Sequence, residues 1–254
     1  MANLRIAYSN LWSAAVSILV ASSEASGLPA TATKNPDRTN IWRSTTGTGT
    51  QTLDVDLGSV LAVTSVFVAN VKILGTGVVE LYQRGDAASA GAATLVGTVS
   101  TQDSDTRVGF LFFGSQSHRH WQLKWTNPGA ANDYAEVGYV HLGTYLEPTV
   151  NIRVPMDTGR QDPSVASMSV DGQKSFAART KYYAGSWQFF FAPEADLTNH
   201  RTVFRSVGVT TPVFAVVDTG LAWTAWLLRL LDLKWTFEEM TQRYTITMPW
   251  EEAR

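Results

Sequence analysis

Cysteine is absent from all 254 residues. That excludes a disulfide framework, a thiolate nucleophile and Cys-ligated zinc in one step, and leaves the redox compartment open. Net charge is nearly absent as well: 20 Lys and Arg against 22 Asp and Glu give −2, so the chain carries no overall attraction to nucleic acid or to an anionic membrane. Long apolar runs are also missing. A bilayer-spanning helix needs roughly 18 to 20 apolar residues, and the densest stretch, 213–233, is broken by Asp218, Thr219, Gly220 and Arg229. Neither nucleic-acid binding nor membrane insertion is expected. Residues 11–21, followed by small residues, have the look of a signal-peptide apolar segment. Only one basic side chain, Arg5, precedes them, and Leu4, Ile6 and Tyr8 alternate with polar neighbours, so a half-buried strand is the better reading.

What is present is β-forming. The 44% of hydrophobic residues suffices for one large core or two ordinary ones, and two domains are the starting expectation. Short segments rich in Val, Thr, Phe, Tyr and Trp, separated by Gly, Asn, Asp, Ser and Pro, indicate antiparallel sandwiches. Strands are predicted at 52–57, 63–69, 77–83, 108–113, 120–125 and 136–145. The Ala- and Gly-rich stretch 85–97 reads as an exposed loop. Near Glu147 and Pro148 the first pattern ends. Val150, Ile152 and Val154 then suggest a new strand, which divides the chain into domains 1–147 and 148–254.

In the second half, strands are predicted at 165–170, 175–183, 186–191, 213–217 and 244–248. One helix interrupts them: Glu194 and Asp196 suit its N-terminus, Leu197, His200, Phe204 and Val207 fall near helical spacing, and Gly208 stops it. Residues 221–233 fit either helix or strand; strands are preferred, because a hairpin closing on 241–248 would complete a sheet. No repeat of 20 to 50 residues is apparent.

No sequence pattern announces catalysis. No nucleophile stands with a base, no carboxylate pair stands out, and Gly47-Thr48-Gly49-Thr50 lacks the Lys-Ser/Thr end of a phosphate loop. The chain is read as non-enzymatic and without a cofactor. His118 and His120 with Asp103 and Asp105 have metal-ligand chemistry but no convincing third ligand in sequence. Nine tryptophans exceed what a solvent-exposed surface favours. Trp187, Trp223, Trp226 and Trp250 are therefore candidates for a subunit interface, where aromatic anchors concentrate.

The segment Ile41-Trp42-Arg43-Ser44, the strand Thr52-Leu53-Asp54-Val55-Asp56-Leu57-Gly58, the valines that follow at 63–68, the late strand Arg119-His120-Trp121-Gln122-Leu123-Lys124-Trp125 and the closing stretch 135–143 together resemble the discoidin, or galactose-binding-like, family. The resemblance covers roughly residues 10–146 and implies a jelly-roll sandwich. Leu53, Val55 and Leu57 would face inward, and Gly58 would permit the turn toward Val66 and Val68. It also implies sugar recognition by an aromatic face and a few polar groups, with Asp37, Trp42, Arg43 and the loop around Arg107 as candidates; a core position for Trp42 is the competing reading. Some members hold a structural calcium ion. The loop containing Asn35, Asp37 and Asn40 offers hard oxygen ligands, against the plainer reading of an ordinary turn.

More loosely, the whole chain resembles minor structural proteins of long-tailed bacteriophages. The segment 187–191, the helix, Pro212-Val213-Phe214 and the closing 244–248 are similar to the β-rich domains of distal tail and tail-tip proteins. That resemblance implies a virion component assembled in the host cytoplasm. It would form a homo-oligomeric ring of three or six copies, contact other tail proteins and connect tube to tip, with host-surface polysaccharide as a further partner. The alternative is a free carbohydrate-binding module or lectin, which leaves the second half unexplained; an exported enzyme ranks third.

Overall fold

The computed structural model describes the chain except for residues 1–3, 15, 38, 48, 73–77, 86–92, 101–107, 127–133, 154–156, 169–173, 178–179, 222–223 and 254. The elements run β1 (Arg5–Asn10), β2 (Ile18–Ala21), a 3-10 turn (Ala30–Lys34), β3 (Trp42–Arg43), β4 (Gln51–Ala69), β5 (Val78–Arg84), β6 (Ala93–Thr98), β7 (Val108–Thr126), β8 (Glu136–Val137) and β9 (Tyr139–Leu146). They continue with β10 (Asp157–Gln161), β11 (Val165–Met168), β12 (Lys174–Ala177), β13 (Tyr182–Ala192), α1 (Glu194–Val207), β14 (Val213–Val216), β15 (Ala225–Leu230), β16 (Lys234–Glu238) and β17 (Arg243–Glu252). The protein is mostly β, with one α-helix among the described residues.

Two compact units emerge. One comprises Met1–Glu147 with Val213–Leu227, the other Pro148–Pro212 with Leu228–Ala253. The stretch Val213–Leu227, expected in the second domain, belongs instead to the first unit.

In the first unit the strands lie in the order β14-β1-β9-β4-β7-β5-β6, with β2 added to β4. The two 19-residue strands β4 and β7 organise it. Over its first part β4 pairs with β2 and β7; over its last part it pairs with β9 and β7, with breaks in register between Asp56 and Leu61 and between Val63 and Ser65. The paired segments 52–57 and 63–69, expected as separate strands, are one strand bent at this point, and 108–113 and 120–125 are likewise joined in β7. Gly58 sits at the bend with φ +78°, a backbone region costly for other residues, and its N–H is taken by Asp56 Oδ1 at 2.8 Å.

Alternation builds the core. Leu53, Val55 and Leu57 on β4 meet Trp121, Leu123 and Trp125 on β7, Val79 and Leu81 on β5, and Val140 and Leu142 on β9; Trp12 and Trp42 close one side. The opposite face of the β9-β4-β7 part is apolar too. There Phe67 stacks on Phe214 at 5.0 Å and meets Phe112 and His141 edge-on at 5.4 and 5.9 Å.

In the second unit β17 is central. β13 pairs with it from Ala184 to Ala192, and β10 continues the sheet beyond β13. On the other side of β17 lie β16, over residues 243–247, and Leu228–Leu230 of β15, over residues 250–252. Helix α1 turns Leu197, His200, Val203 and Val207 inward, with the His200 ring 4.6 Å from that of Phe189. Asp196, in its first turn, accepts hydrogen bonds from the backbone N–H of Thr149 and of Val150 and from the Thr149 hydroxyl, at 3.0 to 3.1 Å.

Three expectations need correction. Residues 85–97 are not wholly loop: 93–98 form β6, paired with β5, while 86–92 lie outside the described residues. Residues 150–153 form no strand, because Asp196 and the Gln188 carbonyl take backbone N–H groups there. The closing hairpin joins β16 to β17 rather than 221–233 to 241–248.

Candidate functional site

The outer face of β2-β4-β7-β5-β6 carries the clearest constellation of polar groups. Where β4 runs straight, every second residue must face away from the core, and these residues are Thr52, Asp54 and Asp56. The register carries the pattern across the sheet. Val20, Asp54, Gln122, Tyr82 and Leu95 stand directly opposite one another in one cross-strand row; Ile18, Asp56, His120, Arg84 and Ala93 form the next. Residues opposite in antiparallel pairs share a face, so one aliphatic side chain from β2 stands at the end of each row, beside its carboxylate.

A cavity of about 290 Å³ opens here, lined by Ile18, Val20, Asp54, Asp56, Arg84 and His120 over the Val55 and Trp121 backbone positions. It is at the small end of the range for small-molecule sites, roughly 300–1,000 Å³. Ile18 and Val20 form an apolar rim, 62% and 59% exposed.

The polar groups are fixed by one another. Arg119 grips Asp56 in two bonds, Nε to Oδ1 at 2.7 Å and Nη2 to Oδ2 at 2.8 Å. This bond holds the Asp56 carboxyl well below the usual carboxylate range, at about 2, against the opposing effect of burial; the Gly58 N–H and His120 add to it. His120 Nδ1 stands 4.0 Å from Asp56 Oδ1. Asp54 behaves oppositely. Burial raises its pKa, while Arg84 (Nε to Oδ1, 3.5 Å), the Gln122 amide (2.8 Å) and Thr52 oppose the rise. Beyond the cavity, in the adjacent row, Lys124 lies over the Tyr82 ring at 5.1 Å and Glu80 accepts from the Tyr82 hydroxyl at 3.0 Å.

Two carboxylates and two guanidiniums balance, so the site selects neither a cation nor an anion by net charge. It presents acceptors and donors side by side in a rigid sheet. Asp56 has both oxygens engaged by Arg119, which makes it a poor nucleophile and a well-placed acceptor.

Apart from His120, which lines the cavity, the residues singled out from the sequence lie elsewhere. Trp42 is fully buried; its indole donates to the Ser23 carbonyl at 3.1 Å and its ring lies 5.2 Å from that of Trp125. It therefore has no face to offer a ligand. Arg43, next to it, points the other way and pairs with Glu136 at 2.7 Å and the Tyr134 ring at 5.6 Å. Asn35 and Asp37 spend side-chain oxygens on the turn, accepting from the backbone N–H of Asp37 and of Thr39, and Asn40 donates its backbone N–H to the Asp37 carbonyl. Arg107 lies outside the described residues, as do Asp103 and Asp105. His118 packs edge-on to Trp121 at 5.8 Å, and no three His, Asp or Glu side chains converge as a metal site among the described residues.

The interface tryptophans need the same correction. Trp187, Trp226 and Trp250 are buried within the chain, Trp187 and Trp250 with ring centres 5.5 Å apart; Trp223 lies outside the described residues. The exposed large apolar groups of the second unit instead include Phe191, Leu231, Trp235, Phe237 and Met240. The pocket residues Asp54 and Asp56 were visible in the sequence as the polar members of an alternating strand; only register could show that Arg84 and His120 join them.

No protein-family model matches the sequence, and no curated protein does. Among solved structures, the chain is similar to chitosan-binding module 1 of a chitosanase/glucanase from Paenibacillus sp. IK-5, at 20% identity over 54% of this chain and 99% of that one, with a TM-score of 0.46. It is similar to a module of Clostridium perfringens solved with GalNAc-β-1,3-galactose, at 16% identity over 54% and 100%, TM-score 0.43. It is similar also to the family 32 carbohydrate-binding module of C. perfringens NanJ solved with galactose, at 17% identity over 56% and 99%, TM-score 0.42.

Proposed function

We propose that this chain is a non-catalytic carbohydrate-binding protein and that the cavity on the β2-β4-β7-β5 face holds one sugar unit. One observation carries the reading: Asp54, Asp56, Arg84 and His120 converge under the aliphatic rim of Ile18 and Val20, with Arg84 and Arg119 balancing the two carboxylates. A neutral sugar hydroxyl both donates and accepts, so it satisfies carboxylate and guanidinium together, while the C–H face of the ring covers Ile18 and Val20. The chemistry of the site, rather than likeness to solved modules, supports the class.

The test is titration calorimetry of the full chain against chitooligosaccharides and galactosides. Binding is expected to at least one of them. Asp54→Ala and Arg84→Ala are each expected to weaken it about tenfold, as loss of one charge-assisted hydrogen bond does, without lowering the melting temperature. Binding unchanged in both variants would remove the site, and no binding to either series would remove the reading.

A second reading, a structural component of a bacteriophage tail tip, gains from the exposed Trp235, Phe237 and Met240 of the second unit. Aromatic surface of this kind favours burial against a partner. Immunogold labelling of phage particles that encode the chain should then mark the tail tip. Unlabelled tails would exclude this role.

A further inference from the structure

Strand β16 reads Lys-Trp-Thr-Phe-Glu, and all five residues are exposed. Among the described residues it pairs with β17 alone, leaving its other edge open. Such an edge presents N–H and C=O groups to any strand that meets it, and proteins commonly guard it with charge. Here the two guarding charges, Lys234 and Glu238, have opposite signs and stand at opposite ends.

That arrangement repels few strands and suits one in particular. When β16 lies antiparallel to a second β16 centred on Thr236, Lys234 of each copy stands opposite Glu238 of the other. Trp235 stands opposite Phe237, and Thr236 meets Thr236. Directly opposed residues share a face and interact as pairs, so both ends attract and two aromatic pairs form on one side. The aromatics are already steadied for this: the Arg201 guanidinium lies 5.2 Å from the Trp235 ring centre, and the Phe237 ring lies 5.2 Å from that of Tyr244. They nonetheless stay 47% and 45% exposed. Within the chain Lys234 has an exposed pair to Asp232 at 3.3 Å, a contact of little energetic weight in water, and Glu238 stands across from Arg243.

We propose that the free edge of β16 is a homodimer contact, in which two copies of this chain related by a two-fold axis join β16 to β16 in one continuous sheet. The contact depends on neither the carbohydrate nor the tail reading.

Sedimentation equilibrium of the full chain tests it, across about 1 to 100 µM, where weak pairs dissociate. A species of twice the 27.8 kDa chain mass is expected. Lys234→Glu opposes like charges at both ends and should weaken the dimer about tenfold. Adding Glu238→Lys restores opposite signs and should restore the dimer. Thr236→Lys, which brings two like charges together at the axis, should give a monomer, and it serves if the double exchange does not fold. A wild-type chain that stays monomeric throughout overturns the proposal. So does a dimer indifferent to Lys234→Glu and Thr236→Lys, or a folded double variant that fails to recover.

Discussion

Single residues in this protein are decided by which side of a strand they occupy. Trp42 and Arg43 are neighbours in sequence, yet one is fully buried against Trp125 and the other reaches Glu136. Composition marks tryptophan as an anchor for cores and for interfaces alike; only the strand's facing separates the two. Trp42→Ala is therefore expected to lower unfolding stability by about 3 to 5 kcal/mol, the usual cost of truncating a large buried aromatic, as read by chemical denaturation. A second consequence attaches to His141. It is buried among Phe67 and Phe214, and burial pushes its pKa down from 6.5 to about 3. The unfolded chain binds this proton near pH 6.5 and the folded chain resists it, so stability is full above pH 6.5 and falls as pH drops toward 3. At full development the span is on the order of a few kcal/mol. Burial lowers the His200 pKa as well, which acts in the same direction. His141→Leu should flatten the decline between pH 6.5 and 4 in denaturation midpoints; an unchanged slope would mean that other groups cause it.

At the scale of elements, local alternation was legible and continuity was not. Leu53, Val55 and Leu57 announce a strand, and so do Val66 and Val68, but nothing local states that the chain passes from one set to the other without leaving the sheet. The tight bend around Gly58, stabilised by Asp56, makes that passage, and its effect is felt only through pairing with β7. Helix α1 was legible end to end, because acids at its start, apolar spacing along it and Gly208 after it all agree. The β1–β9 seam was not. Its register slips between Ala7 and Ser9, and there a side chain at Gly143 would run into the Ser9 carbonyl oxygen and approach the His141 ring at 3.2 Å. Gly143→Ala should cost about 1 to 3 kcal/mol, as overpacking of a filled site does. A Gly143→Ala protein with wild-type stability would show that the seam yields.

For the whole molecule, composition and patterning convey the mostly β class, while the two-unit organisation is only partly written in sequence. Glu147-Pro148 marks a break that the eye can find, whereas the grouping of Val213–Leu227 with the first unit follows from β14 pairing with β1, a contact between residues some two hundred positions apart. The candidate site has the same character. Its four polar residues, Asp54, Asp56, Arg84 and His120, come from three strands, and cross-strand register alone assembles them. The most direct measurement on that assembly is calorimetric titration of wild type and Asp54→Ala with the same oligosaccharide series. Binding by the wild type that weakens about tenfold in a fully folded variant is the expected result. Equal binding by both proteins, or none by the wild type, would contradict a sugar site on this face.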